Sequence, residues 1–234
     1  MDYFYASPEN IKELAVLIDG EEFAHMTHVM RKKEGDEIRV VDGTGNAYDV
    51  RLLSINKKQA HGLVQKTYHD HNEPDVSVTL AVGVLKNPSK FDFLVEKVTE
   101  LGVKEIIPLK TDRTIPDHAK TDRWQKLALS AMKQSGRSFL PHVQDMTTLE
   151  TVLARHSSFG LSVIAHEKEI QSNTVQTIFN GTHRSILILV GPEGGFSDEE
   201  VEGCLKAGVV PLYLGERRLR TETAAIVVSA LAIR

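Results

Sequence analysis

Ser185-Ile186-Leu187-Ile188-Leu189-Val190, running straight into Gly191-Pro192-Glu193-Gly194-Gly195-Phe196, is the stretch that decides the fold. A nearly continuous apolar run reads as a strand buried on both faces, which is how a strand inside a parallel sheet looks. Ser197 and Asp198 with Glu199 and Glu200 then make a helix start, with acids at the positive end of the helix dipole. Outward from this unit the pattern repeats. Strands are predicted at Val76 to Val82, Val103 to Leu109, Leu161 to Ala165 and Val209 to Leu214. Helices are predicted at Lys90 to Leu101 (stopped by Gly102), Asp122 to Gly136 with Asp122 as N-cap, Asp198 to Ala207, and Thr221 to Ile233 with Thr221 as cap. Strands alternating with helices imply α/β architecture with a mostly parallel sheet covered on both sides.

Upstream the pattern differs. Phe23, Met26, Val29 and Met30 recur at helical spacing from Glu21 to Arg31. Short β-type runs follow at Ile38 to Val41, Tyr48 to Leu53 and Gly62 to Val64, joined by the turn Asp42-Gly43-Thr44-Gly45-Asn46. A small β-rich domain is expected over residues 1–70 and the α/β domain over 75–234. His69-Asp70-His71-Asn72-Glu73-Pro74 reads as a solvated linker. His25 and His28 could share a helix face, but no third metal ligand is evident, and no metal is expected.

Composition bounds the function. Apolar residues make up 41% and charged residues 26%, as in a globular chain with a core. With no long apolar run and no basic, apolar leader, the expected compartment is the cytoplasm. The single cysteine, Cys204, excludes disulfide frameworks and Cys-based zinc sites within one chain; it reads as a helix packing residue. Trp124 reads as a helix anchor. The formal charge of -4 and pI near 6.2 exclude a protein that coats nucleic acid non-specifically. RNA contact would need local basic clusters: Arg31-Lys32-Lys33, Lys57-Lys58, and Arg217-Arg218 with Arg220. On charge alone each is more simply a solvated face.

In open α/β sheets ligands bind beyond the carboxyl ends of the strands. Three such ends carry candidate chemistry: Ala165-His166-Glu167, Gly191 to Phe196, and Leu214-Gly215-Glu216-Arg217-Arg218-Leu219-Arg220-Thr221-Glu222-Thr223-Ala224. Three glycines can bring bare backbone to a ligand, while the Lys-bearing phosphate loop and the dinucleotide fingerprint are absent. That combination suits an adenosine-like ligand. The plainer alternative is a tight turn, which explains one or two glycines more easily than three. For Glu222 and Arg220, dipole complement and mutual pairing compete with a functional reading on equal terms.

Gly191-Pro192-Glu193-Gly194-Gly195-Phe196-Ser197, followed by Leu214-Gly215 and Leu219-Arg220-Thr221-Glu222-Thr223-Ala224, closely resembles the 16S rRNA m3U methyltransferase family, of the SPOUT class of S-adenosylmethionine (SAM) enzymes. Supporting matches extend along nearly the whole chain: His25-Met26-Thr27-His28-Val29-Met30-Arg31 with Gly35-Asp36; Lys86, Lys97 and Glu100-Leu101-Gly102-Val103; and Gln134 with Arg137 and Pro141. One departure stands at the N-terminus, where Asp2 precedes the paired aromatics in place of the family's arginines.

The resemblance implies a PUA-like N-terminal β-barrel domain and a SPOUT-type α/β domain with a trefoil knot. It implies a homodimer with the active site near the subunit interface, and a specific uridine of 16S rRNA in the small ribosomal subunit (U1498 in the usual rRNA naming) methylated at N3. SAM would be held around His166, Gly191, Pro192, Glu193, Gly194, Gly195, Leu214, Gly215, Leu219, Arg220, Thr221 and Ala224. N3 of uracil carries a proton, so the site needs a proton acceptor or stabilising cations. Glu222 is the candidate acceptor, with Arg220 or Arg137 as stabiliser. Arg31, Lys32, Lys33, Lys86 and Arg113 are candidates for phosphate contact. Two rivals remain: a SPOUT enzyme acting on another nucleotide, and a non-catalytic RNA-binding assembly factor.

Overall fold

The computed structural model describes residues 2–166 and 174–233. Glu167, at the end of the first candidate strand exit, lies outside the described residues. The chain divides into two compact units, one made of residues 1–73 and 129–140, the other of 74–128 and 141–234.

In the first unit β1 (Tyr3–Tyr5), β2 (Ile11–Lys12), β3 (Ala15–Asp19), β4 (Glu37–Val41), β5 (Asn46–Ile55) and β6 (Gln59–His69) form a six-stranded sheet in the order β1-β4-β5-β6-β3-β2. Only the β1–β4 pair is parallel. Alternation puts Ile38 and Val40 of β4, Val50 and Leu52 of β5, and Ala60 and Val64 of β6 into one core, with Phe4, Val16, Ile18, Phe23 and Met26. The predicted helix is split: α1 (Gly20–Ala24) continues as a π-helical turn at His25–Val29 and ends at Arg31, whose φ is +54°. β1, β2 and β3 are additions to the sequence reading.

Two expectations are corrected here. The stretch from His69 to Pro74 is not simply solvated. β6 extends through His69, and the His71 Nε2 lies 2.9 Å from the Tyr3 hydroxyl and 3.0 Å from an Arg39 nitrogen. Residues 129–140, assigned to the second domain by sequence, pack in the first unit instead. Met132, Leu129 and Leu140 cluster with Val41, Ala47, Tyr3, Tyr5 and Tyr68, an apolar surface that sequence distance conceals.

The second unit contains β7 (Ser77–Gly83), α2 (Pro88–Leu101), β8 (Glu105–Lys110), α3 (Thr121–Ser135, whose last residues belong to the first unit), β9 (His142–Val143), β10 (Thr147–Thr148), α4 (Leu149–Leu153), β11 (Leu161–Ala165), α5 (Val175–Ile178), β12 (Ser185–Val190), α6 (Asp198–Lys206), β13 (Val210–Leu212) and α7 (Thr221–Ala232). Its strands are all parallel, ordered β10-β8-β7-β12-β11-β13, with β9 beside β8. β12 is central, which explains its apolar run. Leu187 and Leu189 pack on the side of α4 and α6, through Leu149, Val152, Val201 and Cys204. The alternate residues face α7, which packs on β7 and β12. Caps set the helix limits. The Asn87 side chain accepts from the Ser89 N–H at 3.0 Å to start α2, and Gly102 at φ +113° ends it. Ser197 and Glu200 form a full capping box on α6.

Candidate active site

The carboxyl ends of β11, β12 and β13 open onto a cavity of about 540 Å³, within the usual range for a small-molecule site. Its floor is the turn after β12. A Cβ on Gly191 would come within 2.9 Å of the Gly195 carbonyl carbon, so this turn closes only over a bare backbone. The Gly195 N–H donates to the Pro192 carbonyl at 2.8 Å, and Gly195 takes φ +72°. Gly83, at the end of neighbouring β7, is equally constrained, because its Cβ would meet the Pro192 nitrogen at 2.4 Å. Arg113 closes one side by donating to the Gly194 carbonyl at 2.8 Å.

The facing wall is the segment after β13. Tyr213, Leu214, Gly215, Arg217, Arg218, Leu219, Arg220 and Thr221 all line the cavity, as do Ala165, His166, Pro192, Glu193, Gly194, Phe196, Asp198 and Ala224. Arg220, not Thr221, occupies the N-cap of α7, and Thr221 is buried in its first turn. Arg217, Arg218 and Arg220 are exposed along the rim.

Glu222 is the second residue of α7, where a carboxylate complements the dipole by about 0.3–1 kcal/mol. It is largely buried at the cavity wall, and its Oε1 pairs with the Lys90 ammonium at 3.1 Å. Its Oε2 is buried with no hydrogen-bond partner among the described residues. A buried, half-satisfied carboxylate costs stability and calls for an explanation in function. Lys90 was not found from sequence, because nothing in a linear reading relates it to Glu222. One local signal did exist: a cation in the first turn of α2, against that helix's dipole. Tyr213 and Asp198 were likewise missed as lining residues.

Arg137 requires a correction. It is 2% exposed and pairs at 2.6 Å with Glu73, itself 1% exposed. Glu73 also accepts the Ser138 and Phe139 N–H groups at 3.0 and 2.9 Å. The guanidinium is enclosed by this network, so it cannot reach a substrate without opening the first unit.

The candidate phosphate contacts separate too. Arg31 and Lys33 are exposed, while Lys32 is half-buried and pairs with Asp2 at 2.8 Å. That hydrogen bond from Lys32 holds the Asp2 carboxyl below its usual range. Asp2, the departure at the N-terminus, thus neutralises part of the nearby basic cluster. Lys86 is exposed, and its backbone N–H donates to Glu193 at 3.0 Å.

Cys204 is fully buried, and burial, with Glu200 nearby, pushes its thiol up to about 12, which leaves a packing residue. Trp124 stacks on Phe91 at 4.0 Å and donates to Asp92, as a helix anchor does. Among the described residues no group of three or more His, Cys, Asp or Glu could hold a metal, and no helix is long and apolar enough to cross a membrane.

A parallel α/β unit with a glycine-floored cleft, together with a β-rich unit, defines the class of the RNA methyltransferases: residues 72–233 match the model of an RNA methyltransferase domain and residues 18–65 that of an RNA methyltransferase PUA domain. The ribosomal RNA small subunit methyltransferase E of Bacillus subtilis is 34% identical over 88% of this chain and 85% of that protein. The Synechocystis protein of the same name is 30% identical over 96% and 74%. A crystal structure of the Neisseria gonorrhoeae enzyme of that name, bound to SAM, is 30% identical and superposes with a TM-score of 0.83 over 98% of this chain and 95% of that one. A SAM-bound methyltransferase from Legionella pneumophila, 28% identical, gives 0.84 over 98% and 96%. The chain belongs to the ribosomal RNA small subunit methyltransferase E family.

Proposed function

We propose that the chain transfers a methyl group from SAM to N3 of a specific uridine of 16S rRNA in the small ribosomal subunit. The observation that carries this reading is the Glu222 carboxylate, placed at the wall of the cavity with one oxygen on Lys90 and the other, among the described residues, without a partner.

The cleft fits such a donor. Gly191, Gly194 and Gly195 offer bare backbone, and Leu214, Leu219, Tyr213 and Phe196 offer apolar surface for an adenine. Glu193, Asp198 and Glu222 supply the negative charge that a sulfonium requires. Bound SAM supplies an electrophilic methyl carbon. Everything else falls to the chain's own residues. The uracil must leave its stack to expose N3. Glu222 accepts the N3 proton, since the base is a poor nucleophile while it keeps it. Arg220, exposed on the rim, stabilises the negative charge that develops on the ring. Arg113, Arg31, Lys33 and Lys86 contact phosphates and fix the RNA without reading it.

Family membership also supports a homodimer, a cytoplasmic place of work and a trefoil knot. The position of β12 between β7 and β11, both earlier in the chain, agrees with a threaded connection.

The test is labelled-methyl transfer from SAM to small ribosomal subunits lacking N3-methyluridine, followed by nucleoside mass spectrometry. The expected product is 3-methyluridine. Another methylated nucleoside would overturn the substrate, and SAM binding without transfer would favour a non-catalytic assembly factor.

A further inference from the structure

Lys90 is the one cavity-lining cation that is tied to Glu222 by a described ion pair. It is the third residue of α2, in a first turn that carries no acid, where the helix dipole opposes an ammonium. Its neighbour on the same helix, Lys97, makes an ordinary surface pair with Glu100 one turn away. Lys90 instead reaches across to α7 and holds Oε1 of the carboxylate at 3.1 Å. The position is unfavourable for its own helix and is offset by a charge on another element, next to an oxygen that has no partner among the described residues.

We propose that Lys90 is a catalytic residue whose ammonium changes partners during the reaction, from the Glu222 carboxylate to an oxygen of the uracil anion. The proposal rests on the reading that uridine N3 is methylated. Charge balance drives the exchange. The N3–H bond breaks and an O–H bond forms on Glu222, so the carboxylate becomes neutral as the ring becomes anionic. The ammonium loses its counter-ion at that moment and finds a new one on the ring. The electron pair on N3 then forms the bond to the methyl carbon, whose bond to sulfur breaks with its pair going to sulfur. The charge of the site stays constant throughout, so no step leaves an uncompensated charge at the cavity wall.

The experiment compares the wild type, Lys90→Met and Lys90→Arg on two RNAs, one with uridine and one with 5-fluorouridine at the target position. Fluorine makes the N3–H more acidic, so the anion needs less help. Lys90→Met should lower kcat by about 10²–10³-fold on uridine RNA, with calorimetric SAM affinity unchanged. On the fluorinated RNA that deficit should shrink about tenfold or more, a thousandfold loss becoming a hundredfold one. Lys90→Arg, which keeps the charge, should recover most of the rate. Lys90→Met combined with Glu222→Gln removes the unpaired charge and should be no slower than the slower single variant, because the two groups act in one step.

An equal deficit on both RNAs would make Lys90 a support for Glu222 and overturn the proposal. So would wild-type turnover in Lys90→Met, or a loss of SAM affinity. If the wild type makes no 3-methyluridine on either RNA, the reading of the reaction itself fails and the proposal with it. If the wild type turns over while Lys90→Met meets one of the overturning outcomes, only the role of Lys90 falls.

Discussion

Two buried carboxylates separate the working part of this molecule from the part that holds it together. Glu73, in the β-rich unit, is 1% exposed and accepts from Arg137, Ser138 and Phe139. Glu222, in the α/β unit, has a side chain 11% exposed, one ammonium on Oε1 and, among the described residues, nothing on Oε2. The first has its acceptor capacity met from within the chain, so it can only fix structure. The second keeps capacity in reserve, and a reserve in a cavity wall is where a ligand's proton can go.

The strongest challenge to this contrast is to neutralise each carboxylate's role. Glu222→Gln should cut methyl transfer by about 10²–10⁴-fold and change unfolding free energy by under about 1 kcal/mol, since its lysine partner is partly exposed. Near-normal turnover with unchanged SAM binding would remove Glu222 as the proton acceptor. Arg137→Met should act the other way. Stranding Glu73 should cost about 3–5 kcal/mol in urea unfolding, and a loss near zero would show that the two backbone N–H groups suffice for that carboxylate.

Smaller effects should refine the same contrast. Arg31→Ala with Lys33→Ala should weaken RNA binding and flatten its dependence on log salt by roughly 0.7–0.9 for each phosphate no longer neutralised. Asp2→Asn should strengthen binding by releasing Lys32. An unchanged salt slope would return the cluster to a solvated face. The smallest expected effect is a pH dependence of the β-rich unit. Burial, reinforced by Arg39, lowers the His71 pKa from its usual value. The folded state therefore favours neutral His71, and stability is full above about 6.5, the ordinary value in an unfolded chain. It should fall as pH drops from there through the lowered folded value. Thermal unfolding between about pH 7.5 and 5 should show that loss in the wild type and a flatter profile in His71→Gln.

What could be read from the sequence follows from where the signal is local. The apolar run of β12, the Gly102 stop of α2 and the Ser197 box of α6 each carry their cause within a few residues, and all three appear where expected. β9 and β10 have two residues each, too few to show a period. The glycines of the cavity floor were legible as turn chemistry, but Gly83 was not, because its constraint comes from Pro192 on another strand's exit. Arg137 was legible as a motif residue and misjudged as a stabiliser, since its partner lies 64 residues away. Lys90 and Glu222 were missed as a pair for the same reason.

The place of β12 between β7 and β11 has a consequence for how the protein comes into being. Both neighbours are synthesised first, and both are largely buried strands that offer β12 a parallel edge. If they zip together early, they close the slot that β12 must enter, and the chain has to back out. Parallel pairing over long sequence separation is slow in any case. Refolding should therefore be limited by an off-pathway pause rather than by collapse, and a newly made chain is a finished catalyst only after its central strand, made later than both its neighbours, has been inserted.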